Sequence, residues 1–143
     1  MLTDGDGGPL AVVVGPANTP DAQLLQATIE AVVVQRPAPH EIQQHLCLDK
    51  GYDNPTGEQA AQSGGHVPHI RRIGEEQTAR PHHSDAKARR WVVERTIAWL
   101  NQCRGILVRY NKFAQNYLGL IQFACALLWY RKLRRLYGQP VLG

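Results

Sequence analysis

The sequence lacks a long apolar run, a signal peptide and a cysteine framework. Its longest apolar stretch, residues 117–130, contains Gln122 and falls short of the roughly 20 residues that a membrane span needs. It therefore predicts a buried helix, with a small membrane protein as a remote alternative. The first residues, Met1–Asp6, have neither the basic nor the apolar region of a signal peptide. The three cysteines have no Cys-x-x-Cys spacing, which excludes a disulfide miniprotein and predicts buried, reduced thiols.

The composition is that of a folded domain with an uneven charge distribution. Of the 143 residues, 43% are hydrophobic and 20% are charged, which excludes a disordered tail and a collagen-like repeat. Residues 1–69 hold two basic and eight acidic side chains, whereas residues 70–143 hold fourteen basic and four acidic ones. This asymmetry favours a polyanionic partner, most simply nucleic acid, over an ordinary solvated surface.

The first half of the chain predicts a hairpin, a helix and a strand. Turn residues at 4–8 and the β-branched run that follows them predict a β-hairpin over residues 1–18. Thr19 suits the N-cap of a helix and Pro20 its first position, and helical spacing continues to Val33. The apolar run 45–48 then predicts a strand that ends at Asp49.

The second half predicts another short helix, a strand and two long helices. Asn54 suits the N-cap of the short helix, Gly64 and Gly65 its end, and residues 66–70 an edge strand. Residues 71–86 predict a basic loop, and residues 87–135 predict helices that Gly105 ends or interrupts. The alternation indicates an α/β fold, and we expect one partial domain over residues 1–143.

Two acidic residues occupy positions that call for an explanation. Asp49 follows an apolar strand, the position from which α/β folds present catalytic groups. Glu94 lies beside Trp91 and Val92, apolar residues that we expect in the core, and helical spacing places Arg90 on the same face as Glu94. A solvated Arg90–Glu94 ion pair explains the second feature equally well.

Several long segments resemble a single family, the insertion-sequence DDE transposases, and in particular the insertion-sequence-five group. They cover nearly the whole chain and are LTDGDGGPLAVVVGPANTPD at 2–21, LCLDKGYDNPTG at 46–57, HVPHIRRIGEE at 66–76, ARRWVVERTIAWLNQCRGILVRY at 88–110 and NYLGLIQFACALLWYRKL at 116–133.

The resemblance implies an RNase H-like catalytic core that cuts and joins DNA at insertion-sequence ends. It implies Asp49 and Glu94 as ligands of Mg²⁺ or Mn²⁺ in a two-metal site, and Arg90 as a helper that orients Glu94. The family often has a lysine where this chain has Asn101, and Arg104 lies one turn later.

The resemblance also implies a third ligand, an aspartate on a strand upstream of the hairpin. Asp4 and Asp6 are turn residues and do not match it, so we expect the chain to lack this aspartate and to be inactive alone. It would then be the C-terminal part of a truncated or split transposase. The alternative is a non-catalytic fragment that binds DNA or inhibits a transposase.

Basic residues near the expected site are candidates for contacts with DNA at element ends and target. They are Arg71, Arg72, Arg89, Arg95, Arg104, Arg109 and Lys112. We further expect a homo-oligomer or pairing with an upstream transposase fragment, a cytoplasmic, nucleoid-associated location and no membrane contact. The histidines lack the spacing of known zinc sites and predict ordinary surface positions.

Overall fold

The computed structural model describes residues 1–38, 40–70 and 90–138, with Arg90 described by its backbone alone. The chain divides into two compact units, one formed by Met1–Val14 with Val92–Gly143 and the other by Gly15–Trp91. The architecture is mixed α/β, as the sequence predicts, with two small sheets in the described residues. The single partial domain stays a prediction, and the expected loop at 71–86 lies outside the described residues.

The first unit begins with the predicted hairpin. Strands β1 (Leu2–Thr3) and β2 (Pro9–Ala11) pair antiparallel around a turn in which Gly7 has a φ of +85°. The carboxylate oxygen Oδ1 of Asp4 accepts hydrogen bonds from the Gly8 and Asp6 N–H groups, at 2.6 and 2.9 Å. Strand β2 ends at Ala11 because its partner has two residues, and the rest of the β-branched run packs against helices instead.

Three helices complete the first unit: α3 (Arg90–Asn101), α4 (Arg104–Leu107) and α5 (Ala114–Tyr137). Their core consists of Leu100, Ile106, Ile121 and Ala124. The predicted interruption of the helix occurs, but earlier than Gly105: α3 ends at Asn101, and Gly105 lies inside α4. No helix in the described part of the chain is both long and apolar enough to cross a membrane.

The hairpin turn is bonded to two of these helices. Lys132 of α5 lies 3.0 Å from Asp4 Oδ2, and the indole N–H of Trp129 donates to the Pro9 carbonyl over 2.8 Å. The Thr96 hydroxyl of α3 contacts the Gly7 carbonyl at 2.9 Å. These bonds join residues about 90 to 130 positions apart, which fixes α3 and α5 against the turn.

The second unit contains α1 (Asp21–Glu30), α2 (Pro55–Ser63) and the parallel strands β3 (Gln44–Leu48) and β4 (His66–Ile70). Leu46, Leu48 and Ile29 are buried, and Ala61 is completely so. Pro68 is tolerated because β4 pairs with β3 alone in the described residues, so the missing N–H breaks no second ladder.

The structure differs from the prediction at both boundaries of α1 and in the exposure of two residues. The N-cap is Pro20 rather than Thr19, and α1 ends at Glu30, which leaves Val33 91% exposed. The β-branched valines after Glu30 have low helix propensity and no core to reach. Cys47 is exposed because it alternates with the buried leucines of β3, and Trp91 is 57% exposed because α3 buries the adjacent Val92.

We expect Asp4→Asn to destabilise the protein in a pH-dependent way. Burial alone raises the pKa of Asp4, but bonds from the Gly8 N–H, Lys132 and the Asp6 N–H outweigh it and hold the pKa below 3.8. The lowered pKa makes this stabilisation, about 1–2 kcal/mol, fully present above pH 3.8 and lost as the pH falls through the folded-state value. Urea denaturation from pH 7 to pH 3 measures the loss. Asp6→Asn is the control within the same turn, and an Asp4→Asn effect that is constant with pH would contradict the prediction.

Candidate catalytic carboxylates

Asp49 lies at the exposed carboxyl end of β3, directly after the buried Leu48. Its backbone is extended, and its Oδ1 accepts a hydrogen bond from the Lys50 N–H over 2.7 Å. The side chain therefore caps the short 3₁₀ turn Lys50–Tyr52. A strand that is buried on one face and a capped turn together fix the position from which this carboxylate reaches solvent.

The turn after Asp49 is held tightly against α2. Asn54 caps α2 as predicted, since its Oδ1 accepts from the Gly57 N–H at 2.9 Å while its amide donates to the Gly51 carbonyl at 3.0 Å. A β-carbon at Gly57 would lie 2.5 Å from the Tyr52 carbonyl oxygen, so only glycine fits there. The helix therefore packs directly on the backbone that carries Asp49.

Negative charge accumulates around this turn. Burial raises the pKa of the Tyr52 hydroxyl, and the charges of Asp21 and Asp49 raise it further. Asp21 is the first residue of α1, so two elements contribute carboxylates close to Tyr52. Such an environment attracts cations and repels phosphate unless a cation intervenes.

Glu94 is exposed on the side of α3 away from the core. The buried positions Val92, Thr96 and Leu100 recur every four residues and define the opposite side. The contact of the Thr96 hydroxyl with the Gly7 carbonyl of the hairpin sets the rotation of α3. Glu94 thus projects outward from a fixed helix.

The predicted catalytic carboxylates belong to different units. Asp49 lies in the second unit and Glu94 in the first. The Arg90 side chain lies outside the described residues, as do Arg71, Arg72 and Arg89. Within residues 1–38, 40–70 and 90–138, no three His, Cys, Asp or Glu side chains form a group that could hold a metal ion. Carboxylate oxygens, such as those of Asp49 and of Glu94, are the hard donors that Mg²⁺ prefers.

Comparison with known proteins decides the family. The model of the transposase DDE domain matches residues 1–129, a range that includes both carboxylates. The chain belongs to the DDE transposase family. A Burkholderia cepacia protein assigned as a transposase for insertion sequence element IS402 is 31% identical over 138 residues. The match covers 94% of this chain and 63% of that protein, so the chain spans less than two thirds of its relative. No solved structure gives a significant match.

Four predicted DNA contacts of this transposase chain lie in the described residues, and all four are exposed. Arg104 begins α4, and Arg109 and Lys112 lie in the segment between α4 and α5. The Arg109 guanidinium lies 5.4 Å from the centre of the Tyr117 ring and donates from Nε to the Asn111 carbonyl. Arg95 donates to the Asp6 carbonyl over 3.0 Å, so part of its hydrogen-bonding capacity serves the hairpin.

The sequence reasoning missed two aromatic residues beside these cations. Tyr110 is 71% exposed and Phe113 is 65% exposed, and both interleave with Arg109 and Lys112. Exposed rings next to basic side chains are typical of surfaces on which unpaired bases stack. The alternation Arg-Tyr-Asn-Lys-Phe at 109–113 is the signal that could have found them.

We expect Gly57→Ala to destabilise the Asp49 turn while Gly51→Ala leaves it intact. The added methyl at position 57 meets the Tyr52 carbonyl, whereas nothing lies within 4 Å of a β-carbon at position 51. Overpacking of this kind costs about 1–3 kcal/mol, and an unopposed methyl changes stability by less than about 0.5 kcal/mol. Chemical denaturation of the two variants measures the difference. Equal stability of the two variants would contradict the described packing.

Proposed function

We propose that the chain supplies two of the three carboxylates of an RNase H-like core that cuts and joins DNA at insertion-sequence ends. The observation that carries this proposal is Asp49 at the exposed end of a parallel strand that is buried on one face, within the region that matches the DDE domain. The parallel pair β3–β4 with α2 as its crossover supports an RNase H-like arrangement.

Asp49 and Glu94 would hold the divalent metal, with Arg90 orienting Glu94. Bound Mg²⁺ or Mn²⁺ would activate the attacking oxygen and stabilise the leaving oxygen of the phosphodiester. The chain's own contacts place both side chains: Asp49 accepts a bond from the Lys50 N–H, and the Thr96–Gly7 contact sets the rotation of α3, which carries Glu94. Fixed supports of this kind suit a reaction that depends on geometry.

The third carboxylate is proposed to come from an upstream transposase segment, joined to this chain or paired with it. No described group of three side chains includes a third ligand beside Asp49 or Glu94. An alternative proposal is a non-catalytic fragment that binds DNA and inhibits a transposase through mixed oligomers. The exposed basic and aromatic side chains of the segment 104–113 support its DNA-binding part. In either case DNA is the proposed partner.

We expect DNA cleavage to need both the upstream segment and Asp49. The purified chain is incubated with Mn²⁺ and a duplex that carries the element ends, with and without a co-purified upstream fragment. Strand cleavage is expected from the mixture alone, and Asp49→Asn or Glu94→Gln should reduce it at least about 100-fold because the metal loses a charged ligand. Asp53→Asn is the matched control, four residues from Asp49 and just after its turn. Robust cleavage by the isolated chain would overturn the division of the site.

We expect charge at positions 109 and 112 to determine the salt dependence of DNA binding. The double variant Arg109→Gln, Lys112→Gln should reduce the slope of log affinity against log salt by about 0.9 for each phosphate that the variant no longer neutralises. Fluorescence anisotropy with a labelled duplex at several salt concentrations measures this slope. The charge-preserving variant Arg109→Lys, Lys112→Arg serves as the control. An unchanged slope in the first variant would show that these residues do not contact phosphate.

A further inference from the structure

Two histidines make a close side-chain contact in the second unit. His45 Nδ1 lies 2.6 Å from His69 Nε2, and the two ring centroids are 4.9 Å apart at an angle of 40°. Both side chains are exposed, and no carboxylate or backbone group shares this nitrogen–nitrogen contact in the bonds described. The pair is independent of the carboxylates assigned to catalysis.

The parallel ladder determines this contact. His45 pairs with Val67 and Cys47 with His69, so the two histidines occupy diagonal positions on neighbouring strands. His45 and Cys47 alternate with the buried Leu46 and Leu48 and therefore lie on the same outward face of β3. The position of each imidazole is set by a strand rather than by a loop.

We propose that His45 and His69 form a bidentate site for a divalent transition metal, with Zn²⁺ as the probe. The short contact requires that one ring nitrogen donates a proton to the lone pair of the other. A tautomer switch in the donor ring moves that proton to its other nitrogen, so both facing nitrogens then present lone pairs. Zinc–nitrogen bonds of about 2.0–2.1 Å require the two atoms to separate to roughly 3 Å, a small ring rotation at an exposed surface.

The proposed site differs from the Asp49 site in its donor atoms. His45 lies four positions before Asp49 in the chain, about 13 Å at 3.3 Å per residue, whereas His69 pairs with Cys47, two positions before Asp49. Imidazole nitrogen suits Zn²⁺, Cu²⁺ and Ni²⁺, whereas Mg²⁺ prefers the oxygen donors of carboxylates. The inference therefore does not depend on the proposed transposase chemistry.

The donor set predicts an exchangeable site rather than a structural zinc centre. The described side chains contain no convergent group of three donors, so water completes the coordination of the ion. Cys47 is exposed beside His69 but is not assigned as a ligand. Substitution of Cys47 should therefore change the affinity by less than about threefold.

Calorimetric titration of EDTA-treated protein with ZnCl₂ tests the site in the full chain. We expect the strongest site to weaken at least about tenfold in His45→Gln and in His69→Gln, and to stay unchanged in His40→Gln, an exposed histidine outside the pair. Each variant should also lose the rise in Tm that Zn²⁺ gives the wild type, while circular dichroism without zinc confirms that it is folded. Wild-type affinity in both folded variants, or an equal loss in His40→Gln, would overturn the proposal.

Discussion

The backbone polar groups of the turn at residues 4–8 need partners, and this requirement organises the first unit. Asp4 satisfies two N–H groups within the turn, Lys132 of α5 binds its carboxylate and Thr96 of α3 the Gly7 carbonyl. Trp129 binds the carbonyl of Pro9, which directly follows the turn. A buried polar group without a partner costs about 1–3 kcal/mol, so these bonds lock the rotation of both helices. The outward placement of Glu94 follows from that rotation, because the opposite side of α3 is committed to the hairpin and the core.

A steric constraint has the equivalent role in the second unit. The backbone of α2 approaches the Tyr52 carbonyl so closely at Gly57 that no side chain fits. This contact and the two hydrogen bonds of Asn54 press the turn onto the helix, directly after the strand that ends at Asp49. Each carboxylate is therefore positioned by contacts within its own unit.

Local signals in the sequence predicted the element types well and burial less well. The Asn54 cap, the strand before Asp49 and the glycines after α2 were predicted because each depends on a few adjacent residues. The prediction that Trp91 and Cys47 are buried was wrong, because the face of an element that is covered depends on partners that are distant in the chain. The His45–His69 contact was missed for the same reason, because it requires the register of two strands. The DDE family was recognised correctly because its motifs are long and separately placed along the chain.

The charges around the two carboxylates differ, and this difference bears on how a phosphodiester would approach them. Burial raises the pKa of Tyr52, the charges of Asp21 and Asp49 raise it further, and neighbouring carboxylates repel a phosphate unless a cation intervenes. Glu94 is followed in the chain by Arg95, and the exposed Arg104, Arg109 and Lys112 belong to the same unit. Under the proposed function, the basic unit attracts the phosphate backbone of DNA without metal. Asp49 contacts phosphate only through a bound divalent ion. DNA affinity and catalysis would then separate experimentally, since chelation of the metal would remove the reaction and leave salt-dependent binding in place.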